Sequence, residues 1–337
     1  MASIKIYMIW YPWLKKLYKI IITQHQVKKA HHSILINTMQ GIGVFELIWH
    51  VSAWLLCSNR VGKKLCYSCY GCKMMLLKNH PDWHSIITEK NKLCNVTDIH
   101  NIQHKIYQCS QRGGNKIIFI SNIDQLTESA VNALLKIIEE PPKNTWFFLV
   151  NYNCLYSYPT LSSRCVIYNL PIPMEKKSLL WLNQELKNND NTSYLTALRV
   201  NAGCPITAKN FINGEIWKER IYFFQNIFFS FKNKNLINML SILNDHNIIV
   251  KINWICLLLF DAIKFNINQK NYISNLDQMP LIDMLSRNYS DYHLDQSIHA
   301  WIKCKYRLTT ILGINHELIL LDQLLLWEKI LNFSFTS

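Results

Sequence analysis

Hydrophobic and polar positions along this chain fall into two regimes that change near residue 171. From about His32 to Leu170, short apolar runs alternate with stretches whose apolar positions recur every three or four residues. The runs Ser33–Ile36, Trp83–Ile87, Lys116–Ser121, Thr145–Val150 and Val166–Leu170 predict strands. Near-continuous apolar character over so few residues suits strands covered on both faces. Helices are predicted between them at Val44–Leu56, Thr97–Ser110 and Thr127–Glu139. In the last of these, Val131, Leu134, Leu135 and Ile138 have the i, i+3, i+4, i+7 spacing of one helix face. Thr127 is placed to cap it, and Pro141–Pro142 forces its end. Such alternation implies an α/β domain built on a parallel sheet with helices on both faces.

The Pro-Ile-Pro segment at 171–173 marks a boundary. Beyond it no strand alternation remains and helical patterns dominate. Ile252–Phe265 and His316–Leu331 are apolar nearly all round, as in helices buried against neighbours or other subunits. Three domains are expected: an α/β domain over residues 1–170, a small all-α domain over 171–214 and a longer all-α domain over 215–337. No internal repeat is visible.

A length of 337 residues accommodates two or three domains, and a hydrophobic share of 50% makes the chain globular. No stretch approaches the roughly 18 uninterrupted apolar residues of a membrane span. Ile255–Phe260 stops at Asp261, Leu318–Trp327 is split by Asp322 and Gln323, and Lys15, Lys16 and Lys19 break the apolar N-terminal stretch. No small-residue cleavage site follows that stretch, so a cytoplasmic protein without a membrane partner is expected. The formal charge of +14 is compatible with nucleic acid nearby. Seven Arg against 29 Lys, the abundance of Ile and Asn, and the lack of a tight basic cluster reduce its weight.

Residues His32–Phe45 have the scaffold of a phosphate-binding loop: a short strand, Gly41 and Gly43 in a turn, and a helix from Val44. A working loop reads G-x-x-x-x-G-K-[ST], with Lys on the phosphates and a hydroxyl on Mg²⁺. Here Thr38 stands at the first Gly, Val44 at the Lys and Phe45 at the Ser/Thr. Valine has no charge to meet a triphosphate, and phenylalanine offers neither a metal ligand nor space. Two readings stand: a phosphate-loop fold stripped of its chemistry, hence a structural partner of active ATPases, or an ordinary strand–turn–helix with two glycines.

Eleven cysteines in a chain expected to be cytoplasmic argue against a disulfide framework. Cys57, Cys66, Cys69 and Cys72 form C-x8-C-x2-C-x2-C, a spacing that suits a closed Cys₄ zinc site. Gly62 and Gly71 supply tight turns there. An iron–sulfur cluster and unliganded thiols are the alternatives, and the cluster fits a short insertion after a helix less well. Cys94, Cys109, Cys154, Cys165, Cys204, Cys256 and Cys304 lack ligand spacing and are expected to be small core residues.

More specific signals follow downstream. Asn132–Pro142, NALLKIIEEPP, is similar to the signature of DNA clamp-loader ATPase-type subunits, and Pro159–Cys165, PTLSSRC, to their S-R-C segment. With WYPWL at 10–14, the four-Cys insertion and the degenerate loop, the chain resembles the delta-prime class of bacterial DNA polymerase III clamp-loader subunits, of the AAA+ family. The resemblance covers nearly the whole chain, most strongly residues 10–170, and leaves the first nine as an extension. The departures are informative. Where an active member has D-E-x-D, this chain has Ser121-Asn122-Ile123-Asp124, and the second-domain sensor Arg is Ile206. Asn151 matches the first-sensor position, though an Asn capping a strand explains it better.

The resemblance implies a structural Zn²⁺ on the four cysteines, no bound nucleotide and no ATPase activity of the chain itself. Such a chain would be an accessory subunit of DNA-directed DNA polymerase III, a nucleotidyltransferase complex. Its second and third domains would be a lid and an oligomeric collar. Its partners would be γ/τ-type ATPase subunits and the δ subunit, with the sliding clamp and primer-template DNA reached through the complex. Arg164 would act in trans on the γ-phosphate held by a neighbour. The rivals are a divergent ATPase and a monomeric zinc-bearing DNA-binding module.

Overall fold

The computed structural model describes residues 10–87, 93–108, 110, 114–153, 158–186, 190–311, 313 and 315–332. The proposed extension at 1–9, together with Cys109 and Cys154, lies outside them. The chain divides into two compact units, residues 1–173 and 174–337.

The first unit holds α1 (Lys15–Gln26), β1 (Ser33–Asn37), α2 (Val44–Leu56), α3 (Tyr70–Leu76), β2 (Trp83–Ile86) and α4 (Val96–Tyr107). There follow β3 (Lys116–Ile120), α5 (Glu128–Glu139), β4 (Thr145–Asn151), α6 (Pro159–Ser162) and β5 (Val166–Asn169). The five strands form one parallel sheet in the order β2-β3-β4-β1-β5. Every residue of β3 is buried, as are Ile34–Ile36 of β1 and Phe147–Asn151 of β4, which is why these strands read as unbroken apolar runs. The one charge in β3, Lys116, is buried with its Nζ donating to the Ile106 and Gln108 carbonyls, so it closes the C-terminal end of α4.

Thr127 Oγ1 accepts the Ala130 N–H at 3.3 Å and so caps α5. The buried face of α5 is Ala130, Val131, Leu134, Ile137 and Ile138; Leu135 lies only part-buried beside it. α4 starts one residue early, in a capping box between Asn95 and Asp98, and ends at Tyr107, short of the expected Ser110. Because β1 lies between β4 and β5, the turn after Asn37 emerges beside the C-terminal ends of β4 and β5, the end of the sheet at which open α/β sheets bind ligands.

The second unit is all helical among its described residues: α7 (Glu175–Leu186), α8 (Asn191–Val200), α9 (Pro205–Asn213), α10 (Glu215–Lys232), α11 (Leu240–Leu243), α12 (Ile248–Asn266), α13 (Met279–Asn288), α14 (Asp291–Thr310) and α15 (His316–Ile330). Its core is built on Phe223, Phe224, Trp254, Trp301 and Trp327. The buried Arg220 and Lys251 are paired: the Arg220 guanidinium meets Asp277 at 2.5 Å and Asn275 at 2.6 Å, and the Lys251 ammonium meets Glu219 at 2.8 Å. Asp261 accepts the Ser274 and Asn275 N–H groups, which pins the segment before α13. α12 and α15 are not buried all round within this chain. Phe260, Leu318 and Leu326 remain exposed, with Leu318 at 63%.

Candidate functional site

The turn between β1 and α2 is closed by protein atoms. Gly41 and Gly43 have φ of 83° and 91°, left-handed values that favour glycine, and Gly43 caps α2. The turn thus needs glycine at both positions, Gly43 being the last glycine of the phosphate-loop pattern. Its side chains do not match. Val44 is buried, and Phe45 packs its ring 5.7 Å from that of Phe119 on β3. Thr38 is buried, its N–H donating to the Asn151 carbonyl at 3.0 Å and its hydroxyl to the Leu170 carbonyl at 3.3 Å. The indole of Trp13, from the N-terminal WYPWL, donates to the Ile42 carbonyl at 2.7 Å and ties the turn down from outside.

The one acid in the first turn of α2 is Glu46. Burial raises its pKa, and its charge, after burial itself, helps push the Tyr152 phenol up to about 12. A protein carboxylate thus sits where the helix dipole would otherwise favour a phosphate.

Neighbouring strand ends have structural roles. Asn151 belongs to β4, and its Oδ1 accepts the Asn153 N–H at 3.0 Å. Asn122 Oδ1 accepts the Asp124 N–H, while Asp124 accepts the Asn153 N–H. These amides and carboxylates hold the loops after β3 and β4 in place.

The four cysteines converge. Their Sγ atoms all lie within 4.8 Å of one another. Cys57–Cys66, Cys57–Cys69 and Cys66–Cys72 separations are 3.4, 3.8 and 3.9 Å. Tetrahedral thiolates on an ion with bonds of about 2.3 Å stand roughly 3.8 Å apart, so the group can hold a metal ion. The Cys69 N–H points at Cys66 Sγ and the Cys72 N–H at Cys69 Sγ, at 3.3 and 3.4 Å. The first bond is the main reason the Cys66 thiol is lowered. At Cys69, burial works upward, but the Cys72 amide and Ser58 outweigh it and bring the thiol to about 5. At Cys57 and Cys72 burial dominates and raises the thiol. None of the described cysteines is in a disulfide; Cys94, Cys204 and Cys304 are buried, and Cys165 and Cys256 part-buried.

Gly71 is the residue of this site that spacing alone left as a turn. It lies inside α3, next to Cys72, and a Cβ there would stand 2.4 Å from the carbonyl oxygen of Leu56, next to Cys57. Absence of a side chain lets the backbones beside two buried ligands touch. Gly71→Ala is expected to force α3 away from α2, cost about 1–3 kcal/mol and weaken metal retention. Thermal melts and a chelator competition check it; wild-type values in both would contradict the assignment.

Arg164 follows α6 and precedes β5, at the opposite end of the parallel strands from the Thr38–Gly43 turn. β5 runs parallel to β1 with Ile34 opposite Val166 and Asn37 opposite Asn169. Roughly 13 Å of strand therefore separates this arginine from its own chain's turn. Its Nε pairs with Glu139, and its Nη1 donates to the Thr160 carbonyl at 3.0 Å and Ser163 Oγ at 3.2 Å. At 38% side-chain exposure the guanidinium is held in place yet accessible. Glu139 was invisible as a partner because 25 residues separate the two.

Comparison with known proteins places this arrangement. Family models match for "DNA polymerase III, delta subunit" over residues 13–173 and "DNA polymerase III, delta subunit, C terminal" over residues 214–329. DNA polymerase III subunit delta' of Buchnera aphidicola subsp. Schizaphis graminum is 53% identical over 324 residues, 96% of this chain and 98% of that protein. The chain belongs to the DNA polymerase III delta' family. The delta' subunit of Escherichia coli K12 is 32% identical over 323 residues, 96% of each chain. A solved DNA polymerase III gamma subunit-related protein of Thermotoga maritima is similar at TM-score 0.42 and 17% identity, covering 94% of this chain and 99% of that one, too loose a likeness to carry an argument. As in the sequence-based expectation, no helix among the described residues is long and apolar enough to cross a membrane.

Proposed function

We propose that this chain is the ATPase-inactive delta' subunit of a DNA polymerase III clamp loader. It supplies a fixed face to a neighbouring ATPase subunit and an arginine in trans, and takes part in ATP-dependent loading of the sliding clamp on primed DNA. The observation that carries the reading is the β1–α2 turn. It keeps the strand, turn and last glycine of a phosphate loop while Val44, Phe45 and Glu46 fill its helix start with apolar and acidic groups. Ser121, Asn122 and Ile206, in place of the metal-positioning Asp, the water-activating Glu and the sensor Arg, support the same conclusion.

Residues 171–214 serve as a lid and 215–337 as a collar packing against γ/τ-type and δ subunits, which accounts for the exposed Phe229, Leu318 and Leu326. The metal is structural Zn²⁺ on Cys57, Cys66, Cys69 and Cys72. Four protein thiolates leave no position for a substrate water, so this ion cross-links the 57–72 segment and does no chemistry. The assembly works in the cytoplasm beside the polymerase, whose nucleotidyl transfer this chain serves without performing.

Reconstitution tests the reading. Mixed with loader ATPase subunits and δ, the chain is expected to co-elute in one complex on gel filtration, and its omission to abolish clamp loading on primed DNA. Elution of the chain alone, with clamp loading unaffected, would contradict it.

A further inference from the structure

Charge in this chain is unevenly distributed. Residues 1–81 contain eleven Lys and Arg against a single carboxylate, Glu46, so ten of the formal +14 sits in the first quarter of the chain. The remainder carries 25 basic residues against 21 acidic ones. A coding bias toward lysine would spread the excess; here it is concentrated.

The fold places six of the described cations, Lys15, Lys19, Lys28, Arg60, Lys63 and Lys64, along α1 and the loop before Cys66. Tyr18 Oη donates to the Lys63 carbonyl at 2.9 Å, Gln26 Nε2 to the Gly62 carbonyl at 3.0 Å, and Lys63 Nζ to Thr23 Oγ1 at 2.6 Å. These bonds seat the loop before Cys66 along α1. Lys15, Lys19 and Thr23 are successive i, i+4 positions of α1, so Lys15, Lys19 and the ammonium of Lys63 form a row spaced about one helical turn apart. Lys15, Lys19, Lys28, Arg60, Lys63 and Lys64 are exposed, and none forms an ion pair with a described residue. Glu46, the one acid, is part-buried in the β1–α2 turn.

Aromatic rings interleave with the row. A groove of about 290 Å³ on one side of the loop is lined by Trp10, Tyr18, Lys63, Lys64 and Tyr67, the last 42% exposed. Another, of about 400 Å³, is lined by Lys28, Arg60 and the part-buried Trp146, with the Arg60 guanidinium 4.4 Å from the ring centre of Trp54, which is itself buried and offers no open face. Cations that track a phosphate backbone beside aromatic platforms for bases are the recurring means of holding single strands. An acidic protein partner would need the charge but not the rings.

We propose that the face formed by α1 and the loop leading to Cys66 binds single-stranded DNA directly. This goes beyond the subunit reading and does not rest on it, since the isolated full chain displays the face.

The test is fluorescence anisotropy of a labelled oligo-dT of about 16 nucleotides, titrated with the full chain between about 50 and 200 mM salt. Lys15→Ala/Lys19→Ala/Lys63→Ala is expected to weaken binding at least tenfold at the lower salt. It should also reduce the slope of log affinity against log salt by roughly two, about 0.7 for each phosphate no longer neutralised. Lys176→Ala/Lys177→Ala/Lys232→Ala, with the same loss of charge elsewhere, should leave both unchanged. Metal content and circular dichroism verify folding, and Lys15→Ala/Lys19→Ala, which leaves the loop's own bonds intact, gives the same direction should Lys63 prove structurally sensitive.

Absence of binding by the wild type at the lower salt overturns the proposal, as do equal losses in both triple variants. Stronger competition by a duplex of equal length overturns the single-strand assignment. A basic-face variant that keeps its DNA affinity but no longer joins the loader ATPase subunits makes the face a protein interface instead.

Discussion

Replacing Arg164 with Ala in a reconstituted loader is expected to lower ATP hydrolysis at one neighbouring site by about 10³–10⁵, or roughly 4–7 kcal/mol of transition-state stabilisation. The expectation follows from where the side chain sits. It lies at the end of the strands opposite its own turn, is 38% exposed, and is held by Glu139, Thr160 and Ser163. Folding and assembly should be nearly unaffected, because a half-exposed ion pair contributes little to stability. Arg164→Lys should rescue poorly, since an ammonium cannot form the two-pronged contact a guanidinium makes with phosphate oxygens. DNA- and clamp-stimulated ATPase of the whole complex should fall less than the single-site loss, because other sites keep their own arginines. Unchanged loader ATPase and clamp loading would reduce Arg164 to a surface cation held by Glu139.

Cys69→Ser is expected to release the metal. Structural zinc sites are worth about 10–16 kcal/mol of apparent binding free energy near neutral pH, most of it local folding energy. Cys69 supplies both a thiolate and the acceptor for the Cys72 N–H, so its loss removes a ligand and unseats a second one. The 57–72 segment should become protease-sensitive while the second unit keeps its melting behaviour. Metal analysis should give about one zinc per wild-type chain and none retained by the variant after dialysis against a chelator. Iron in the wild type, or no metal in protein kept reduced, would contradict the assignment.

Much of this was legible in the sequence, for identifiable reasons. The central strands β1, β3 and β4 appeared as apolar runs because they are buried. The part-buried β2 and the largely exposed β5 were legible from their short apolar runs alone, and α2 matched its expected bounds. Thr127 and the paired prolines bounded α5 because capping and chain termination are local. The metal group was legible because its ligands are close in sequence. Non-local features were not. The Arg164–Glu139 pair joins two elements across the β4 connection, and the Trp13 clamp on Ile42 spans 29 residues. The contact between Gly71 and the end of α2 depends on a short helix, α3, that periodicity could not resolve in seven residues. The basic face escaped notice because no tight Lys/Arg cluster exists along the chain; folding brings α1 and the Cys66 loop together.

The central claim is that a phosphate-loop fold has been retained without nucleotide. Isothermal titration of the purified full chain with Mg²⁺-ATP tests it most directly. The burial of Val44, the Phe45–Phe119 contact and the Glu46 carboxylate at the helix start predict no saturable heat in the micromolar range, with or without Mg²⁺. Saturable, Mg²⁺-dependent binding of ATP in that range would contradict the account.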